Sequence, residues 1–310
     1  MKIIQYLNKP EYIFRPSQLC RRMWQTLERE NSEYEIVTLP WKTEIRVRPD
    51  EAIGRSIVTT GVYDLSVTEV LWRLIDQGET AVDVGANIGY MTSVMARRVG
   101  ETGRVFSYEP HPEIYEELCE NKRIWKEACG WHQIQTQNIA LSNTSGMGVL
   151  TMPSHFKENR GVASLSDEKH LEGRGRGCQC QVILAELDDL MDGESPVSVI
   201  KLDVEGHELK VLQGAERVVT HYVRDIVFEE HSAYPSEVTS FLEDRGFTVI
   251  RVHKGIWGPG FELPAGEARG SVLPWDPPSY LATKDPLRAV KRMHKRGWQV
   301  FANNQRRLDA

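Results

Sequence analysis

The stretch Thr80–Tyr90, which reads TAVDVGANIGY, decides the fold of this chain. A short apolar run ends in an acid, a turn with two glycines follows, and a helical pattern then begins. This order predicts a buried parallel strand, a tight turn, and a helix whose first amide groups face the turn. Gly85 and Gly89 allow the backbone to approach a ligand closely, which a side chain at either position would prevent.

A dinucleotide is the first ligand to consider at such a turn. Its G-x-G-x-x-G fingerprint requires glycine at 85, 87 and 90, whereas this chain has Asn87 and Tyr90. S-adenosylmethionine fits better, because it has no phosphate and carries an ammonium group that a carboxylate can hold. Asp83, at the end of the predicted strand, is placed for that role.

Further predicted strands also end in polar residues. The strand over 104–110 closes in Glu109, the strand over 133–141 contains Asn138 near its end, and the strand over 197–203 closes in Asp203. Strands that alternate with helical segments predict an α/β fold with a doubly wound, mostly parallel sheet and right-handed crossovers. Ligands of such sheets bind beyond the carboxyl ends of the strands, so we expect these polar groups along one rim.

These motifs resemble those of the FkbM-type methyltransferases, within the class I S-adenosylmethionine-dependent enzymes. The matching segments are DVGANIGY at Asp83–Tyr90, YEP at Tyr108–Pro110, ALS at Ala140–Ser142, LDDL at Leu187–Leu190 and IKLDVEGHEL at Ile200–Leu209. The resemblance runs from about residue 45 to residue 252. It implies a Rossmann-like sheet of seven strands, the last antiparallel, and methyl transfer to a hydroxyl of a sugar, polyketide or related metabolite.

The resemblance also implies which residues hold the cofactor. Asp83 and the Gly85–Gly89 turn would contact the methionine part, and Glu109 would accept hydrogen bonds from both ribose hydroxyls. Asn138 would lie near the adenine edge. The full set of expected cofactor-binding residues is Asp83, Gly85, Asn87, Gly89, Glu109, Pro110, Asn138 and Ala140.

Methyl transfer to an alcohol benefits from a base, because the hydroxyl must lose its proton as the new bond forms. The candidates, in order of preference, are Asp203, Glu205 and His231. The two acids could instead stabilise a helix N-terminus, and the histidine could be a solvated loop residue. Asp203 and Glu205 could also hold Mg²⁺, but a sulfonium needs no Lewis acid, so we expect no metal.

The expected domain organisation has an N-terminal extension over 1–35, a methyltransferase domain over 36–283 and a basic tail over 284–310. An irregular insertion over 154–180 is expected near the acceptor site, with Arg160 and His170 as substrate contacts. The tail carries eight Lys and Arg against two Asp. A solvated helix face is the default interpretation of such a segment, and a membrane or nucleic-acid contact is the alternative.

Composition limits the function classes. The formal net charge is −6, which argues against general nucleic-acid affinity and leaves a small-molecule acceptor as the expected partner. Five cysteines show no disulfide framework, which favours a reducing, cytoplasmic compartment. Cys178 and Cys180 lack the second pair of a zinc site. No apolar run approaches the roughly 20 residues of a spanning helix, and the first residues do not read as a secretory signal.

Several other functions stay open on the sequence alone. The closest alternative is an N-methyltransferase, or an enzyme that methylates a protein or a lipid-linked glycan. A nicotinamide oxidoreductase is disfavoured by Asn87 and Tyr90. A protein that binds the cofactor without catalysis is a further alternative.

Overall fold

The computed structural model describes residues 11, 32–153, 156, 158–165, 178–191, 196–263 and 278–302. The strands in these ranges are β1 Glu35–Thr38, β2 Glu44–Val47, β3 Thr80–Val84, β4 Arg104–Tyr108, β5 Ile134–Gln137, β6 Ala140–Leu141, β7 Gly146–Met152, β8 Ser164–Leu165, β9 Cys178–Ala185, β10 Val197–Leu202, β11 Val223–Glu229, β12 Thr248–Gly255, β13 Gly258–Glu262 and β14 Ser279–Thr283. The helices are α1 Ala52–Thr60, α2 Leu65–Leu74, α3 Tyr90–Val99, α4 Pro112–Cys129, α5 Leu187–Leu190, α6 Glu208–Gln213, α7 Glu216–His221, α8 Glu237–Glu243 and α9 Pro286–Met293.

The central sheet of the described chain has eight strands in the order β13-β12-β14-β11-β10-β3-β4-β5. Strands β5, β4, β3, β10 and β11 are parallel, and β14 is antiparallel to both of its neighbours. The doubly wound α/β fold with an antiparallel last strand is therefore confirmed. The sheet differs from the expected seven strands by β13, which forms a hairpin with β12. The many Gly and Pro residues over 255–278 predict a loop, whereas Gly255 and Gly258 flank the tight connection of this hairpin.

Helices cover both faces of the central sheet. Alternate strand residues point to opposite faces, and both sets are apolar because both faces are buried. One face packs with α2 and α3 and includes Ala81, Val105, Val199, Val227 and Leu281. The other packs with α6, α7 and α8 and includes Val82, Val84, Ile200, Leu202, Ile226 and Phe228.

The helices differ from the sequence expectation in three places. The sequence after the strand that ends near Asp203 predicts one helix over 206–221, but this helix is broken at Gly214. An added Cβ atom at Gly214 would lie 1.9 Å from the Ser142 carbonyl oxygen. Helix α4 extends to Cys129, and α1 was not predicted. The helix expected around 17–29 lies outside the described residues.

A second sheet follows β5, with strand order β6-β9-β7-β8. The expected third strand over 133–141 ends at Gln137, and Ala140–Leu141 pairs with β9 instead. Strands β7 and β9 pair over seven residues each, where only short strands were expected. The alternation of apolar and polar residues that marks a strand is not recognisable here, because glycine, glutamine and cysteine replace the larger apolar residues of typical strands. Most of the insertion expected over 154–180 lies outside the described residues.

The described part of the C-terminal segment packs onto α2. Ala289, Met293, Trp298 and Val300 are buried in the same core as the helix. Arg288 and Arg292 form ion pairs with Asp76, so these two tail cations have partners within the chain. Within the described ranges, no helix combines the length and hydropathy needed to cross a bilayer.

Candidate active site

A deep cleft lies at the carboxyl ends of β3, β4, β10 and β11. It encloses about 1260 Å³ outside the protein atoms, counting its open mouth. Strand ends form its floor, and residues of the α1–α3 region and of 159–165 form its walls. The position agrees with the rule that ligands of open α/β sheets bind beyond the carboxyl ends of the strands.

The turn after β3 needs its glycines for contacts within the protein. Gly85, Asn87 and Gly89 all have positive φ angles, of 74°, 49° and 90°. A Cβ atom on Gly85 would lie 2.0 Å from the Asp203 carbonyl oxygen. A Cβ atom on Gly89 would lie 2.5 Å from Leu118 Cδ1. Gly85 and Asn87 line the cleft, whereas Gly89 does not and packs against α4.

Glu109 presents a buried carboxylate to the cleft. Its side-chain oxygens accept hydrogen bonds from the backbone N–H groups of Asn87, at 2.8 Å, and His111, at 2.9 Å. Burial raises the pKa of Glu109 to about 7, and these hydrogen bonds oppose the shift. Each oxygen retains a lone pair for a further donor. The neighbouring Tyr108 also lines the cleft. Its hydroxyl group is buried and has no hydrogen-bond partner among the described residues.

Asp83 lies beneath the turn and does not line the cleft. Its carboxylate is 0 % exposed and accepts a hydrogen bond of 2.6 Å from the Thr92 hydroxyl. Burial raises the pKa of Asp83, and the Lys201 ammonium, 3.7 Å away, opposes that shift. A direct contact between Asp83 and a ligand is therefore not part of this geometry. Its role in cofactor binding stays a prediction.

Lys201 connects the turn to the end of β10. Its Nζ donates to the Gly85 carbonyl oxygen at 2.9 Å and lies 3.2 Å from Asp203 Oδ2. Burial lowers the pKa of Lys201, but the carboxylates of Asp203 and Asp83 outweigh it and raise the pKa above its ordinary value. Sequence reasoning missed this residue. The available signal was a single cation inside the otherwise uncharged strand VSVIKL.

The far end of the cleft is acidic. Asp203, Glu205, Glu229 and Asp64 line it together with Tyr63. Burial, followed by the charges of Asp203 and Asp64, raises the pKa of Glu229 to about 8. Burial also raises the pKa of Asp64 to about 6, against the opposing hydrogen bond from the Val67 N–H group. Of these four acids, Asp203 and Glu205 were predicted from the sequence, and Asp64 and Glu229 were not.

The third base candidate lies apart from this acidic end. His231 is exposed, follows β11 by two residues and does not line the cleft. The structure therefore brings together Asp203 and Glu205 of the three candidates. Which residue acts as the base stays a prediction.

The opposite end of the cleft is apolar. Pro110, Ile139, Ala140 and Leu141 line it, next to Glu109. Asn138 does not reach the cleft, because its amide nitrogen donates to the carbonyl oxygens of Glu109 and Pro110, at 2.8 and 3.0 Å. It braces the segment that follows β4.

Arg160 reaches the cleft from a short 3₁₀ turn and is 7 % exposed. Its Nη1 donates to Glu117 Oε1 at 2.6 Å, and its Nη2 has no hydrogen-bond partner among the described residues. His170, the other expected substrate contact, lies outside the described residues. No group of three or more His, Cys, Asp or Glu side chains in the described ranges is arranged to hold a metal ion.

Comparisons with known proteins identify the family. The model of the methyltransferase FkbM domain matches residues 83–249, which is more than half of the chain. Methyltransferase sdnD of Sordaria araneosa is 28% identical over 67% of this chain and 85% of its own length. Hexuronic acid methyltransferase AglP of Haloferax volcanii is 29% identical over 59% of this chain and 75% of its own. The 31-O-demethyl-FK506 methyltransferase FkbM of Streptomyces tacrolimicus is 27% identical over 56% of this chain and 74% of its own. This chain belongs to the FkbM methyltransferase family, whose members are S-adenosylmethionine-dependent methyltransferases.

Proposed function

We propose that this protein transfers a methyl group from S-adenosylmethionine to a hydroxyl group of a small molecule. The observation that carries the proposal is the polarity of the cleft, which has apolar walls beside Glu109 at one end and carboxylates at the other. Two relatives support the acceptor class, since one is named for hexuronic acid and another for 31-O-demethyl-FK506. A sugar, polyketide or related metabolite is the acceptor that we propose.

The residues of the cleft fit the cofactor. Glu109 has acceptor capacity left for the ribose hydroxyls, and the apolar end offers an uncharged surface to adenine. Gly85 and Asn87 would meet the methionine part. The buried Tyr108 hydroxyl, without a partner among the described residues, offers a further polar contact. Asp83 would contribute indirectly, by holding Lys201 against the Gly85 turn. Asn138 and Gly89 would stabilise segments next to the cofactor site without contacting the cofactor.

Methyl transfer depends mainly on the alignment of the acceptor oxygen with the methyl group. When bound, S-adenosylmethionine supplies an activated methyl group. The chain's own residues hold the acceptor oxygen in line with that group, which removes much of the entropic barrier. Carboxylates at the acidic end, with Asp203 and Glu205 in the cleft, can accept a hydrogen bond from the hydroxyl and then its proton.

Arg160 is proposed as a contact to bound substrate or cofactor. Its buried Nη2 group lies in the cleft wall without a partner among the described residues, and leaving a buried donor unpaired is costly. A ligand oxygen in the cleft would satisfy this donor.

The test has two parts. Calorimetric titration should give binding of S-adenosylmethionine and no comparable binding of NAD. Release of S-adenosylhomocysteine should then be measured with matched acceptors that carry either a hydroxyl or an amine. Binding of NAD in place of S-adenosylmethionine would contradict the enzyme class. Turnover of amines alone would replace O-methylation by N-methylation.

A further inference from the structure

We propose that Glu229, at the end of β11, takes the proton from the acceptor hydroxyl. The inference rests on the proposed function and assigns its base to a residue outside the set Asp203, Glu205 and His231. It follows because Asp203 and Asp64, at the same end of the cleft, already have partners within the protein.

Glu229 and Asp203 lie side by side at the floor of the cleft. Leu202 of β10 pairs with Phe228 of β11 in parallel register, so the residue after each reaches the same level of the sheet. Neighbouring strands are about 5 Å apart, which places both residues within reach of one small group. Both line the cleft.

Asp203 is engaged by a cation. Lys201 Nζ lies 3.2 Å from its carboxylate and also donates to the Gly85 carbonyl oxygen. Part of the Asp203 carboxylate is therefore occupied by this ion pair, whereas a base needs a carboxylate oxygen that is open to the acceptor hydroxyl. We assign Asp203 the role of holding the acceptor hydroxyl and keeping Lys201 against the turn.

The other groups at this end are less suitable. Asp64 accepts a hydrogen bond from Val67 N at the start of α2, which stabilises its charge. Glu205 is exposed. Burial, followed by the charges of Asp203 and Asp64, raises the pKa of Tyr63 well above its ordinary value, so this phenol stays protonated.

Glu229 meets the requirements for a base. Its side chain lines the cleft, is partly buried, and has no hydrogen bond or ion pair with any residue that the structure describes. The largest electrostatic effects on it come from the acids Asp203, Asp64 and Glu205 and the cation Lys201, and Tyr63 also interacts with it. A base titrating near neutral pH is the most effective kind, and the pKa of about 8 lies in that range.

The transfer step balances with Glu229 in this role. The hydroxyl oxygen forms a bond to the methyl carbon, and the bond between carbon and sulfur breaks with its electron pair left on sulfur. The hydroxyl proton passes to the Glu229 carboxylate. The net charge of the cleft is unchanged, because the positive charge lost at sulfur equals the charge gained by the protonated carboxylate.

A cationic ligand beside Glu229 should lower its pKa and expel its proton. Binding of S-adenosylmethionine should therefore release more protons than binding of S-adenosylhomocysteine, which has no charge on sulfur. Protons released from Glu109 by the ribose, which both ligands carry, cancel in this difference. Titration calorimetry between pH 7 and 9, in two buffers with different ionisation enthalpies, measures this release on the full chain without any acceptor.

The decisive variants are Glu229→Gln and Asp203→Asn. We expect Glu229→Gln to abolish the difference in proton release between the two ligands. Asp203→Asn should keep the difference but move it to lower pH, because Asp203 raises the pKa of Glu229. Glu237→Gln, an exposed acid at the start of α8, is the matched control and should behave as the wild type.

Two outcomes overturn the inference. Undiminished proton release in Glu229→Gln, with S-adenosylhomocysteine binding showing that the variant is folded, removes Glu229 from the reacting centre. Loss of the release in Asp203→Asn alone returns the role to Asp203. Failure of the wild type to bind either ligand contradicts the proposed function itself and is distinguishable from both.

Discussion

Burial brings the pKa of Glu109 close to neutral pH, and hydrogen bonds from two backbone N–H groups fix the position of its carboxylate. Its ionised form accepts hydroxyl hydrogen bonds better than its protonated form. Because burial raises the pKa of Glu109 to about 7, the affinity for S-adenosylmethionine should fall as the pH drops from 8 to 6. The residue therefore links cofactor binding to pH.

The variant Glu109→Gln removes this charge with little change of shape. We expect it to weaken S-adenosylmethionine binding by roughly 1.5–3 kcal/mol, the cost of a lost charge-assisted hydrogen bond. Calorimetry should also show that most of the pH dependence between 6 and 8 is lost. Glu113→Gln, an exposed acid on α4, is the control. Equal affinities for wild type and Glu109→Gln would remove Glu109 from the cofactor site.

Glu229 should reduce the stability of the folded chain at high pH. Its pKa is about 8 when folded, against an ordinary value of 4.5, so the folded state holds its proton over a range in which the unfolded state has lost it. The free energy of unfolding should therefore fall as the pH rises from about 4.5 to 8. Glu229→Gln should be more stable than the wild type at pH 9, on the order of 1 kcal/mol, and similar to it near pH 4.5. Urea denaturation at both pH values measures this, and a variant less stable at pH 9 would contradict it.

At the scale of elements, the strands that build the cleft floor were predictable and their neighbours were not. Strands β3, β4 and β10 are largely apolar, and each has an acid within one residue of its end, a pattern typical of buried parallel strands. Strand β13 and the β7–β9 pair contain glycines and polar residues, so their pairing depends on tertiary contacts that a local pattern does not report.

The residues of the candidate site also divide into those that the sequence predicts and those that it does not. Glu109 and Asp203 were found because each directly follows a recognisable strand. Lys201 was missed because its importance arises from a hydrogen bond to Gly85, 116 positions away along the chain, and from the ion pair with Asp203. Asp64 was missed because it precedes α2 and does not lie at the end of a strand. Glu229 is recognisable as a strand end, but its free carboxylate becomes evident only once the partners of Asp203 are known.

The turn after β3 offers a test of what its glycines do. Gly89→Ala places a Cβ atom at a φ of 90° and within 2.8 Å of the Trp125 ring, which is fully buried. Gly130→Ala, at the end of α4, has a φ of 68° but meets nothing within 4 Å. The control should cost about 1 kcal/mol of stability from backbone strain. Gly89→Ala should cost roughly 2–4 kcal/mol, since overpacking adds to the strain. Equal losses in urea denaturation would show that Leu118 and Trp125 yield easily.

At the scale of the whole molecule, a buried ion pair connects the C-terminal segment to α2, which packs on one face of the central sheet. Arg73 and Glu69 of α2 are 4 % and 0 % exposed and pair at 2.5 Å. Arg73 also donates to the carbonyl oxygens of Met293, Lys295 and Gly297. Glu69 accepts hydrogen bonds from the backbone N–H groups of Gln299 and Val300. Because Asp64 caps the start of α2, the C-terminal segment also supports one wall of the cleft.

The variant Arg73→Ala tests this connection. It leaves the Glu69 charge buried without its cation and removes the donor from four carbonyl groups of the C-terminal segment. We therefore expect a loss of about 3–5 kcal/mol in the free energy of unfolding. Arg123→Ala is the matched control, because Arg123 also pairs with acids on its own helix but is exposed, and it should change stability little. Hydrogen exchange should show faster exchange at Gln299 and Val300 in Arg73→Ala, since their acceptor is no longer held. A stability loss equal to that of the control would mean that the apolar contacts of Met293, Trp298 and Val300 anchor the segment without the ion pair.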